Sequence, residues 1–205
     1  NDTISLETAG SERLRVTSNG QLVIGHNASH GIDIGHEFRV QVSGTDFPTS
    51  GISQQRFENN ISGATLALGH SRNGTQGSHT ILQVGDEYGK IRFYGSDGTD
   101  FDGYGAAIVA KVETGVAVNR TPGHLEFHTT ASDSNNAIER FRITHEGKIG
   151  IGITNPAALT HIYDSTDTSS STEQFRISGG DRTADTFETG FRFFTQSPSA
   201  NGNRH

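Results

Sequence analysis

The chain has 205 residues, of which 31% are hydrophobic and 19% charged, with 26 Gly and no Cys, Met or Trp. Its formal net charge of −7 argues against nucleic acid as a partner, and no apolar run approaches the roughly 18 residues of a membrane span. The absence of Cys excludes disulfides and a thiol nucleophile, and the low apolar share leaves little material for a private core.

The first predicted element is a β-hairpin at residues 12–25 (ERLRVTSNGQLVIG). Leu14 and Val16 alternate with arginines, which is the two-residue period of a strand with one apolar and one arginine-bearing face. Asn19 and Gly20 then supply a turn before the alternation resumes. A lone hairpin is marginal in water, so it must pack on further strands of its own chain or of other chains.

Short strands and loops alternate through the rest of the chain. Residues 106–118 have some helical propensity, but their β-branched side chains favour two short strands split at Gly115. Loops are predicted at 45–60 and 96–105. The other predicted strands are 31–44, 61–70, 80–85, 89–95, 123–130, 138–152, 157–163, 173–178 and 190–195.

The hairpin sequence recurs at residues 139–152 (ERFRITHEGKIGIG), offset by 127 residues, with seven of 14 positions identical. Residues 173–178 (EQFRIS) begin a third partial copy. Repetition at long spacing indicates an elongated array of units. The predicted fold class is all-β and elongated, with short strands and hairpins in repeated units, assembled as an intertwined or side-by-side homotrimeric fibre.

Four parts follow from this organisation. They are a first hairpin repeat with its following strands at 1–44, an inserted β module at 45–136, a second hairpin repeat at 137–163, and a linker with the start of a third repeat at 164–205. We also expect the chain to be a fragment of a longer polypeptide.

The pattern ERxRxTxxGxxGIGxxxP at residues 139–156 resembles the shaft repeat of tailed-bacteriophage tail fibres. The segments 85–100, 106–108 (AAI) and 121–127 (TPGHLEF) are similar, in the same order, to a recurrent module of those fibres, so the resemblance covers about residues 62–156. It implies a structural and adhesive virion protein that is extracellular, homotrimeric and attached to other virion tail proteins. Its implied external partner is a host surface glycan or protein.

Two other functions stay open. One is a tailspike-type glycan depolymerase, and the other is a cellular surface adhesin or filament subunit that shares the repeat. The self-cleaving chaperone domain that often ends tail fibres has no match in this sequence. We predict no catalytic residues and no cofactor.

One candidate metal site is the triad His124, Glu126 and His128, which alternate in HLEFH and therefore share a strand face. Imidazole and carboxylate both ligate transition metals. The alternative, which we favour, is a solvated face or one that makes hydrogen bonds between chains.

A second candidate is the loop that carries Asp97, Asp100 and Asp102, whose carboxylates suit Ca²⁺. The same carboxylates with Glu87 are the candidates for an acid/base pair in glycoside hydrolysis. The interpretation that we favour is ordinary turn chemistry, since Asp and Gly shape loops through their own backbone hydrogen bonds.

The hairpin arginines recur beside glutamates and have two interpretations. They either bridge to a neighbouring chain, for which the guanidinium fork is suited, or lie on a solvated strand face. The arginines are Arg13, Arg15, Arg140, Arg142 and Arg176, and the apolar residues that we expect to be buried partly against other chains are Leu14, Val16, Phe141 and Ile143.

Overall fold

A computed structural model describes residues 3–33 and 35–164. The first of its two sheets has the strand order β1-β2-β3-β4, antiparallel except for the parallel pair β3–β4. Its strands are β1 (Ile4–Thr8), β2 (Ser11–Val16), β3 (Leu22–Ile24) and β4 (Val40–Val42).

The second sheet has six strands in the order β10-β9-β8-β7-β6-β5, again antiparallel except for one parallel pair, β9–β10. The second hairpin repeat therefore lies in one sheet with three segments of the inserted module that were predicted as strands, 89–95, 106–118 and 123–130. The strands are β5 (Glu87–Tyr94), β6 (Tyr104–Val112), β7 (Gly123–Thr130), β8 (Ala137–Ile143), β9 (Ile149–Ile151) and β10 (Thr160–Ile162).

The all-β class is confirmed for the described part of the chain, and a single short helix interrupts it. The helix α1 (Phe47–Ser50) lies in the predicted loop 45–60, where Asp46 caps its N-terminus and a proline occupies its first turn. No helix among the described residues is long and apolar enough to cross a membrane.

Several predicted strands differ from the structure. The segments 61–70 and 80–85 form no strand, because their backbone finds no pairing partner within residues 3–33 and 35–164. Within 31–44, pairing is limited to β4 and an isolated bridge. Residues 106–118 do avoid a helix, but they contribute one long strand that ends at Val112 rather than two short ones. The predicted strands 173–178 and 190–195, with Arg176, lie outside the described residues.

The sequence repeat is also a structural repeat, and it is larger than the hairpin. In each copy the hairpin is followed by a parallel third strand, so that β2-β3-β4 matches β8-β9-β10. The connection to the third strand spans residues 25–39 in the first copy and only 152–159 in the second. Because the two connections differ in length, an ungapped alignment of the two hairpins does not align the third strands.

A β-bulge lies at the first arginine of each copy. Glu7 pairs with Glu12 and Leu6 with Leu14, which leaves Arg13 as the extra residue, and the β7–β8 register shifts in the same way at Arg140. By strict alternation Glu12 would lie on the face of Leu14, but the bulge brings it beside Arg15.

The repeated arginines bind side chains of their own chain. Arg15 binds Glu12 at 2.5 Å, and Arg142 binds Glu139 at 2.5 Å in the equivalent position. Arg13 donates from Nε to Thr8, at 2.9 Å. Arg15 and Arg142 are half-buried in ion pairs of their own chain, which neither interpretation predicted, whereas Arg13 and Arg140 are exposed, in agreement with a solvated strand face.

Each repeat is closed by a glycine that lies against the third strand. Gly152 has φ +70°, and a Cβ there would lie 2.1 Å from the carbonyl oxygen of Tyr163. Gly25 meets the carbonyl oxygen of Ser43 at the same distance. The shared geometry explains why glycine stands at both positions, because any side chain would push the parallel strand away.

We expect Gly152→Ala to lower the free energy of unfolding by about 2–3 kcal/mol, since it adds a backbone clash to a left-handed conformation. Gly147→Ala is the matched control, because Gly147 has φ +78° and a Cβ added there would meet nothing within 4 Å. Its loss should be about 1 kcal/mol. Urea denaturation at one protein concentration measures both, and equal losses would contradict the steric role of Gly152.

Candidate functional site

The six-stranded sheet has one apolar face. A row of apolar residues crosses five strands in register, from Ile91 through Ile108, Phe127 and Phe141 to Ile151. A second row lies one step along the strands. We define the apolar face by its side chains, which are Ile91, Phe93, Ile108, Ala110, Leu125, Phe127, Phe141, Ile143, Ile149 and Ile151.

The described part of the chain does not cover this face. Leu125 is 40% exposed, Ile143 37% and Ile91 43%. Phe127 and Phe141 meet edge to face with ring centroids 5.2 Å apart and are half-buried. Monomeric soluble proteins rarely leave such a contiguous apolar surface in water, so the face has the character of an interaction surface.

The opposite face of the sheet carries the charges and is the more deeply buried one. Glu126 on β7 is 3% exposed, and its cross-strand neighbours are Val109 on β6 and Arg142 on β8. This arrangement inverts the usual one, in which the apolar side of a sheet packs inward and the polar side faces water.

Four cationic or imidazole groups converge on the Glu126 carboxylate. Lys111 Nζ lies 2.7 Å from Oε2, and His128 Nε2 lies 2.8 Å from the same oxygen. His124 Nε2 lies 2.9 Å from Oε1, and Arg142 Nη2 lies 3.1 Å from it. We call these five residues the Glu126 network. A buried carboxylate is tolerated only when it is paired in this way.

The network keeps Glu126 ionised. Burial acts to raise the pKa of its carboxyl, but hydrogen bonds from Lys111, His124 and His128 outweigh burial and lower that pKa from 4.5 to about 2.

Two further carboxylates flank the network. Glu139 holds Arg142 through two contacts of 2.5 Å, which raises the pKa of that guanidinium. Glu113 Oε1 lies 2.9 Å from the buried Nδ1 of His124, within ion-pair range but without hydrogen-bond geometry. The face therefore holds three carboxylates beside two fixed cations and two imidazoles.

The structure brings together His124, Glu126 and His128, as their alternation predicts. The metal-ligand atoms that lie within 4.8 Å of one another, however, belong to Glu126, His128 and Glu139 rather than to His124. Lys111 and Arg142 already contact these carboxylates, so a divalent cation would have to displace ion pairs.

Sequence reasoning missed the cations of this cluster. Lys111 and Arg142 come from the two strands beside β7, and only the strand register shows that they meet Glu126. The available signal was the recurrence of Arg142 in the repeat, which marks the position as important without naming its partner.

Each of the three loop aspartates accepts hydrogen bonds from backbone amides. Asp97 Oδ1 accepts hydrogen bonds from the amides of Thr99 and Asp100, at 2.8 and 3.2 Å, which lowers the pKa of Asp97. Asp102 Oδ1 accepts from the amide of Gly35 at 3.1 Å. Among the described residues these aspartates do not gather into a three-ligand group.

Glu87 is remote from the aspartate loop. It begins β5, whereas the loop follows the other end of that strand. The seven steps from Glu87 to Tyr94, at about 3.3 Å each, span about 23 Å, well beyond the ~10 Å limit for a pair of glycosidase carboxylates. Glu87 instead contacts Lys90 at 2.8 Å.

A recess lies between the first sheet and the aspartate loop. Its volume is about 480 Å³, and its lining includes Ile32, Phe38, Val42 and Phe101. An ion pair of 2.5 Å between Asp33 and Arg92 joins the two sides nearby. The recess is large enough for a small ligand but contains no catalytic constellation.

The chain was compared with protein families, curated proteins and solved structures. No family model matches the sequence, and no curated protein matches it. Among solved structures the chain is similar to a bacteriophage tail-fibre domain, so its fold is that of a tail fibre and the resemblance seen in the sequence is confirmed at this level.

The similarity is to the carboxy-terminal domain of the bacteriophage T5 L-shaped tail fibre, with a TM-score of 0.55 and 17% identity over 80% of this chain and 71% of that one. A second structure of the same domain, with its intramolecular chaperone domain, gives a TM-score of 0.55 and 17% identity. There the match covers 87% of this chain and 50% of the other, so this chain spans half of that longer one.

Proposed function

We propose that the chain is a structural and adhesive segment of a homotrimeric tail fibre of a tailed bacteriophage. The observation that carries this proposal is the inverted sheet, whose charged face is sealed by its own ion pairs and whose apolar face is covered by none of the residues that the structure describes. Three copies that turn their apolar faces inward would share one core.

The composition supports a shared core. The buried hydrophobic side chains among the described residues are few and mostly small: Val23, Ala107, Val109 and Val112. A private core of this size stabilises a domain weakly. Burial of the apolar face between chains would add to this core, and each Å² of apolar surface removed from water stabilises the assembly by about 25 cal/mol.

The role that we propose is mechanical and multivalent. The trimer joins other virion tail proteins, and its exposed loops contact a host surface glycan or protein, so the protein acts outside the host cell as part of the virion. Weak contacts repeated over several fibres give useful avidity. A tailspike depolymerase is less well supported, because Glu87 and the loop aspartates lie too far apart to act as a pair.

Light scattering after gel filtration tests the assembly. We expect a molar mass of about 66 kDa, three times the chain mass of 22.0 kDa. Leu125→Asp should yield monomers, because it places a charge in the apolar face. Val118→Asp is the control, since Val118 is 90% exposed and lies outside that face. A wild-type chain that stays folded and monomeric at micromolar concentration would refute the proposal.

A further inference from the structure

A long segment of the chain lies entirely at the surface. Every residue from 44 to 70 is exposed. Its apolar side chains are among the most exposed in the described residues, with Ile61 at 106%, Phe57 at 90% and Ile52 at 82%. We define residues 52–69 as the arm. Exposure of so many large apolar side chains in water is unfavourable for an isolated chain.

The backbone of the arm is also largely unpaired. Among the described residues, only two arm amides donate a hydrogen bond, that of Asn60 to Glu58 O at 3.0 Å and that of Ser62 to Asn60 Oδ1 at 2.8 Å. The arm runs without turns on either side of a bend at 59–61. The arm therefore gains little from hydrogen bonds within the described part of its own chain, and most of its backbone groups are open to water.

The arm nevertheless has defined attachments within its own chain. Its two legs are linked by a hydrogen bond from Gln54 Nε2 to Thr65 O, at 3.0 Å. Leu68 lies directly over Gly89, where a Cβ would come within 2.6 Å of the Leu68 Cβ. His70 Nδ1 lies 2.8 Å from Glu87 O. The arm is therefore fixed beside β5, the edge strand of the six-stranded sheet, through Leu68 and His70, while Ile52, Phe57 and Ile61 stay exposed.

From these contacts we infer that the arm of one copy packs on the apolar face of a second copy of this chain. The inference rests on the trimeric fibre proposed above and names the element that joins its subunits. One molecule carries both an uncovered apolar arm and an uncovered apolar face, so each copy gives one contact and receives one. Such a head-to-tail contact closes into a ring when the rotation between copies permits.

The chemistry of the arm fits an apolar partner. Its charged residues are Arg56 and Glu58, which form an ion pair with each other, so no lone charge enters the contact. Protein interfaces of ordinary size use about 20–30 residues a side, which the arm and its neighbours at 44–70 can supply. Apolar side chains spaced along an extended segment suit a sheet face, where they fill gaps between rows of side chains.

Photocrosslinking between isotopically distinct copies tests the inference. A benzophenone amino acid replaces Phe57, and chains with light and heavy nitrogen are unfolded together, refolded and irradiated. We expect crosslinked peptides of mixed isotope that join the arm to β6, β7 or β8. The same group at Val118, which is also 90% exposed, is the control and should not label those strands.

A pair of substitutions supplies a second readout. Phe57→Ser with Ile61→Ser should raise the concentration at which the trimer dissociates by tenfold or more, whereas Val118→Ser should leave it unchanged. Two results would contradict the role of the arm without contradicting the fibre proposal. One is an intact trimer whose crosslinks stay within one chain, and the other is a trimer whose dissociation is unchanged by the arm substitutions. A wild-type chain that never forms a trimer overturns both.

Discussion

Phe141→Ala is expected to lower the free energy of unfolding by about 3–5 kcal/mol per chain and to prevent assembly. Phe141 lies in the middle of the apolar row, paired across the sheet with Phe127 on one side and Ile151 on the other. It is only half-buried within its own chain, so the full loss appears when a second copy covers it. Because the substitution removes three phenylalanine side chains from the interfaces of each trimer, we expect the trimer to dissociate before its chains unfold.

Thermal denaturation over a range of protein concentrations measures this effect. The wild-type midpoint should rise with concentration, as it does for any assembly whose folded state is oligomeric, and this dependence should vanish in the variant. Phe101→Ala is the control, since Phe101 is 45% exposed and lies on the aspartate loop. A loss below about 1 kcal/mol in Phe141→Ala would show that no chain covers the face.

The strand faces could be predicted from the sequence, but their environment could not. Alternation places Phe141 and Ile143 on one side of β8 and Arg142 on the other, and the structure agrees. Alternation does not say which side meets water. In most sheets the charged side does, whereas here the charged side is sealed by ion pairs from neighbouring strands.

The limits of single-strand reasoning explain the remaining differences. The third strand of each repeat was not predicted as part of the repeat, because the loop that precedes it differs in length between the two copies. Segments 61–70 and 80–85 have strand-like patterns but no partner strand in the described part of the chain, and a strand requires a partner for its backbone groups. In the candidate site, the triad on β7 was predictable, whereas Lys111 required the register of a second strand.

The Glu126 network should make the protein sensitive to acid. The folded-state pKa of about 2 lies below the ordinary value of 4.5, so the folded protein binds fewer protons than the unfolded chain. The stabilisation is therefore complete above about pH 5 and is lost as the pH falls toward 2. At about 1.4 kcal/mol per pKa unit, it is about 3 kcal/mol at neutral pH.

Glu126→Gln tests this assignment, since it keeps the shape of the side chain but removes its charge. We expect about 3 kcal/mol less stability at pH 7 and a flatter decline between pH 5 and pH 2 in urea titrations at fixed protein concentration. The other titratable groups at this face, which are Glu113, Glu139, His124, His128 and His145, remain in the variant. Glu146→Gln is the control, because Glu146 is exposed and its ion pair is with the surface side chain of Lys148, so its curve should stay close to the wild type. If Glu126→Gln also kept the wild-type acid decline, the carboxylate that governs acid stability would lie elsewhere, because the imidazoles and Lys111 alone lose no favourable charge as the pH falls.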